Sequence, residues 1–133
     1  MRNIILATFC FLSFSIFSQV INYDVTGYKI RMKKNEKWTN WTEFSKSDGY
    51  IKIDMHDSLI ILKFKLKDDY STAIYPILNH EIQIVEEDNT DIIEYFLCIL
   101  PNGEKINLLF SFNKKAVLIT EEEFQAMYTY ENK

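Results

Sequence analysis

Residues 59–67 (LIILKFKLK) alternate: Ile60, Leu62, Phe64 and Leu66 fall on one side, with Lys63, Lys65 and Lys67 on the other. A repeat of two is the pattern of a strand with one face on a core and one in water. A helix would scatter the same residues around its circumference, so this segment fixes the class before anything else is read. The pattern recurs. Residues 50–55 place Ile51, Ile53 and Met55 inward, and residues 28–33 place Tyr28, Ile30 and Met32 against Lys29, Arg31 and Lys33. In residues 105–112, Ile106, Leu108, Phe110 and Phe112 share a side.

Other runs read as strands less cleanly. Residues 37–44 (KWTNWTEF) are rich in Trp and Thr, which suit a pleated surface. Residues 73–78 contain Pro76, which favours a sheet edge or a strand end. Residues 81–85 and 116–120 are short, and 92–100 (IIEYFLCIL) is apolar enough for a strand covered on both sides. Turn chemistry lies between the runs: Ser47-Asp48-Gly49, His56-Asp57-Ser58, Lys67-Asp68-Asp69, and Pro101-Asn102-Gly103, whose Asn-Gly pair suits a tight hairpin. At the tail, Thr120-Glu121-Glu122-Glu123 fits a helical capping box. The alternative there is a turn followed by a last strand, with Phe124, Ala126, Tyr128 and Tyr130 on one side. The expectation is an all-β antiparallel meander of about eight to ten short strands, closed as a small barrel or stacked as a sandwich.

The first 18 residues do not share this pattern. Met1-Arg2-Asn3 is a short positive start, residues 4–17 (IILATFCFLSFSIF) are largely apolar, and Ser18-Gln19 follows. These are the parts of a secretory signal peptide, too short for a spanning helix. Cleavage is expected between Ser18 and Gln19, leaving residues 19–133 as a single all-β domain, secreted or periplasmic and without a membrane span. Cys10 lacks the small preceding residues that lipidation needs. Without Arg2 the net charge moves from -4 to -5.

No catalytic, cofactor or metal motif emerges. His56 and His80 stand alone, as exposed loop residues in this reading, and no Cys pair or His-rich spacing marks a metal site. The one Cys beyond the leader, Cys98, lies in an apolar run and reads as a buried, unreactive thiol. With three Gly in the chain, no phosphate-cradling loop is expected. The acidic runs read as solvated turns. Residues 29–67 carry ten Lys+Arg against five acids, and residues 68–133 four against thirteen. Cross-strand pairing accounts for that split without a nucleic-acid partner. Trp38 and Trp41, three apart, should point to opposite faces of a regular strand. An exposed Trp near Tyr23, Tyr28 or Tyr50 would form a surface for a protein or glycan, with Trp38, Trp41 and Tyr50 as the candidate residues. The alternative is that the aromatics fill the core and its rim.

Ser18-Gln19, Trp38-x-x-Trp41, Tyr50-Ile51-Lys52-Ile53-Asp54, Asn102-Gly103 and Tyr128-x-Tyr130 together resemble small secreted bacterial β-sheet proteins of unknown function. That resemblance implies a fold and no activity. A likeness to lipocalin-type barrels rests on strand count, and the Gly-x-Trp of lipocalins is missing. The leading expectation is a non-enzymatic binding or interaction protein. The alternatives are a lipocalin-like barrel holding an apolar ligand, and a small hydrolase or inhibitor with a site built from scattered residues.

Overall fold

The alternation of residues 28–33 extends upstream, and β1 runs over Val20–Lys34. A tight turn with positive φ at Asn35 and Glu36 leads into the two-residue β2, Lys37–Trp38. The meander continues through β3 (Ser45–Asp54), β4 (Leu59–Leu66), β5 (Asp69–Glu86), β6 (Thr90–Ile99), β7 (Lys105–Ser111), β8 (Ala116–Thr120) and β9 (Phe124–Asn132). Described in this computed structural model are residues 20–86 and 90–132; the expected leader with Ser18 and Gln19 lies outside the described residues.

Each strand pairs antiparallel with the next, and β9 returns to pair with β1 from Met32↔Phe124 to Tyr23↔Asn132. The result is a closed eight-strand barrel with β2 as an extra strand on β1. Closure removes the two free edges an open sheet would leave. Inward positions are those the alternation marks: Ile51 and Ile53, Ile60 and Leu62, Ile106 and Leu108, with Phe96, Phe110 and Tyr128 among them in one buried cluster.

Several expectations change. The tail is strand β9, because Ala126, Tyr128 and Tyr130 complete the barrel's inner face. Residues 73–78 and 81–85 belong to one strand, β5, bent by a bulge between Ile77 and Asn79. Pro76 sits at the last pair with β4, where a missing N–H interrupts nothing further. Phe112 follows the inner-face pattern, yet β7 ends at Ser111 and Phe112 is 58% exposed. Residues 39–44 are not a regular strand. Gly103, at φ 88°, closes the β6–β7 turn, its N–H donating to the Leu100 carbonyl at 2.9 Å.

Candidate functional site

Strand lengths create the site. β5 pairs with β4 only through Asp69–Pro76; from Ile77 to Glu86 its strand partner is β6 alone. The β5–β6 pair, backed by β7 only as far as Ile93, therefore projects past β4 as a ribbon at the barrel's rim. Register fixes its faces, since directly opposed residues project to the same side. His80 opposes Phe96, Ile82 opposes Glu94, and Ile84 opposes Ile92; Glu94 in turn opposes Phe110 on β7. Phe96 and Phe110 are core residues, so Ile82, Ile84 and Ile92 continue the barrel's inner face into solvent. The Phe112 N–H donates to the Ile92 carbonyl at 3.0 Å, which sets Phe112 beside them. Exposures of 62% for Ile82, 60% for Ile84 and 40% for Ile92 make this an apolar lip.

At the foot of the lip, His80 stacks on Phe96 with centroids 4.4 Å apart and planes 14° from parallel. Its Nε2 lies 3.1 Å from Glu94 Oε2. Across the mouth, Tyr23 and Tyr130 meet at 4.4 Å, each within reach of Phe110. Burial, then the Glu94 charge, pushes the Tyr23 phenol upward. The Tyr130 phenol is also raised, by burial first and then by Tyr23, Glu94 and Asp91, and it donates to the Ser111 carbonyl at 3.3 Å. Ser111 donates its hydroxyl to Asp91, which also accepts the Asn113 N–H; these two bonds hold the Asp91 carboxyl below its ordinary value. The β5–β6 pair carries charge of one sign, while Lys114, in the β7–β8 turn, is near enough to lower Asp91. Between Lys67 and Lys105 the chain has no Lys or Arg, while Glu81, Asp91 and Glu94 lie on the ribbon.

His80 is half-buried in a strand, not in an exposed loop, because the β5 bulge turns it onto Phe96. His56 is the exposed turn residue. Among the described residues no group of three or more His, Cys, Asp or Glu could hold a metal. The Ser111 hydroxyl donates to Asp91, and the His80 ring is paired with Glu94. Cys98 is buried and free, its thiol pushed up to about 11 by desolvation.

The sequence-selected aromatics lie elsewhere. Trp38 and Trp41 come together over Arg31, at 5.2 and 4.5 Å from its guanidinium carbon, with Lys33 and Lys29 against their rings. They do not take opposite faces, because Thr39 and Thr42 replace the regular ladder. The Thr39 and Thr42 N–H groups donate to the carbonyls of Met32 and Ile30, and their hydroxyls accept the N–H of the same two residues. Three loop residues thus span two of β1, which keeps both indoles on one side. Below them Arg31 Nε donates to Gln125 Oε1 at 2.6 Å, and Gln125 passes a bond to Thr120 at 2.9 Å. The repeated Trp-Thr pair was the signal available in sequence. Tyr50 opposes Asp24 and Lys63, on a stretch of β1 about 15 Å from Lys29. Tyr50 is not part of the tryptophan stack.

A depression of about 450 Å³ at the opposite end is lined by Tyr28, Lys46, Ser47, Lys65 and Lys67, with Asp48 as counter-charge. Among the described residues no helix is long and apolar enough to cross a membrane. No protein family, curated protein or solved structure matches the chain.

Proposed function

We propose that the chain is an exported, non-enzymatic binding protein whose binding face is the apolar lip above the barrel mouth. The observation that carries this reading is the continuation of the inner face past the rim, with Ile82, Ile84, Ile92 and Phe112 in solvent. Single exposed aliphatics are ordinary on a protein surface, but a contiguous set on one strand face marks an interaction surface. The filled interior, with Phe96, Phe110 and Tyr128 in the core, favours docking at the mouth over enclosure in a lipocalin-like cavity. Export rests on the leader of residues 1–18.

An apolar fluorescent dye titrated onto the purified domain tests the face. Ile82→Ser/Ile84→Ser should lose most of the dye signal, and Trp38→Ala/Trp41→Ala should keep it. The reverse result moves the binding face to the Trp38–Arg31–Trp41 stack, the surface proposed for a glycan or protein from sequence. For export, cell fractionation with N-terminal sequencing should find the chain outside the cytoplasm and beginning at Gln19. Recovery of full-length protein in the cytoplasm overturns that part.

A further inference from the structure

The ribbon has a free backbone edge as well as an apolar face. Beyond Pro76 the side of β5 turned away from β6 loses β4, and the Ile77 N–H is met by the Ser58 carbonyl at 2.8 Å. At the bulge the His80 N–H is satisfied by the Asn79 side chain at 2.9 Å. From Glu81 to Val85 no described strand covers this edge. An uncovered edge beside aliphatic side chains is a template for another strand. Main-chain bonds then supply affinity, and alternate side chains supply selectivity.

Charge selects the occupant. Glu81 is exposed on β5, Asp57 is exposed in the turn at the foot of the edge, and Asp91 and Glu94 lie on β6. No Lys or Arg occurs between Lys67 and Lys105, although the Lys114 charge in the β7–β8 turn reaches Asp91. A second copy of the ribbon would bring acid against acid, which disfavours self-pairing. A strand that alternates Lys or Arg with aliphatic residues meets both features, placing its aliphatics beside Ile82 and Ile84 and its cations on the opposite face, with Glu81 and Asp91.

We infer that the free edge of β5 at residues 81–85 receives an extended, cationic, aliphatic-rich segment of a protein partner as an added β-strand. The inference rests on the binding-face reading above and supplies its partner class. The probe is a synthetic peptide of about eight residues, roughly the length of one strand, alternating Lys with Ile or Val. Fluorescence anisotropy should show binding that weakens about tenfold when alternate peptide nitrogens are methylated, when Glu replaces Lys, or when Glu81→Lys is introduced. Raising salt from about 50 to about 300 mM should also weaken it. Hydrogen exchange should show new protection at alternate amides of residues 81–85, where lateral docking on the lip would protect none selectively.

Equal binding of the N-methylated peptide, no binding of the parent peptide, or a wild-type dimer held through this edge would each overturn strand addition. If dye binding still depends on Ile82 and Ile84 in those cases, the binding-face reading survives. If dye binding ignores both residues, that reading fails by itself.

Discussion

The glycines show how single atoms shape this barrel. A Cβ on Gly49 would sit 1.9 Å from the Lys63 carbonyl oxygen and 2.8 Å from the Phe64 Cα, both backbone atoms of β4. The atoms nearest a Cβ on Gly27 are those of the Phe44 ring, an exposed side chain able to swing away. Gly49→Ala should therefore cost about 1–3 kcal/mol or more, as overpacking does, and Gly27→Ala clearly less. Urea midpoints of the two variants decide the order; equal midpoints would mean that β3 and β4 separate freely at Gly49. Arg31 gives a second contrast. Gln125 is buried beneath it, and Arg31→Met leaves the Gln125 amide oxygen without that donor, a loss of about 1–3 kcal/mol. Arg31→Met with Gln125→Met should lose less than the single change, because no buried acceptor is then stranded. If the double variant is the less stable, the packing of Trp38 and Trp41 on the guanidinium outweighs the hydrogen bond.

At the scale of elements, alternation was a sound guide to which way a side chain points and a poor guide to what it meets. Ile82 and Ile60 occupy equivalent inward positions on β5 and β4, yet one is 62% exposed and the other 0%. The difference lies in where neighbouring strands stop: β4 leaves β5 at Pro76, and β7 leaves β6 at its pairing with Ile93. Those endpoints are set by pairing across the barrel and leave no mark on the local pattern, so Phe112 was legible as inward-facing but not as exposed. The join of residues 73–78 to 81–85 was hidden for a related reason, since Pro76 and the Ile77–Asn79 bulge look locally like a strand end. Cys98 and the core aliphatics were legible because burial there follows from apolar neighbours along the chain. The same contrast yields a prediction from one residue type. Ile82→Ser/Ile84→Ser should change unfolding free energy by about 0.5 kcal/mol or less per site, as surface changes do. Ile106→Ala, in the barrel interior, should lose about 2–5 kcal/mol. Comparable losses at both places would mean that the ribbon packs against something, and that the lip is not a free surface.

For the whole molecule, closure places phenols where their ionised forms cannot be hydrated. Tyr75, on β5, is pushed up to about 12 by burial, with smaller contributions from the Glu121 charge and Cys98. Tyr128 and Tyr130, on the closing strand β9, are raised further, again by burial first. A raised folded value means that the native state holds its proton where the unfolded chain has released it. The stability tied to these groups is thus fully present below pH 10, the unfolded value, and is lost as pH rises through the folded values. The carboxylates run the other way. Asp91, lowered by Ser111 and the Asn113 N–H, and Asp54, lowered chiefly by the Asp57 N–H, contribute above their unfolded values and lose that contribution as acid protonates them. Stability should accordingly be flat through neutral pH and fall on both sides. Above pH 10 tyrosinate absorbance and loss of β-sheet circular dichroism should rise together for the buried phenols, because β9 cannot ionise Tyr128 and Tyr130 and still close the barrel. Phe replacement at Tyr128 removes one such proton while keeping the ring against Phe64 and Tyr28, and should shift the alkaline transition upward. Reversible titration of every tyrosine near pH 10 with circular dichroism unchanged would show that the closing strand opens to water without unfolding, and closure by β9 would then not be what excludes solvent.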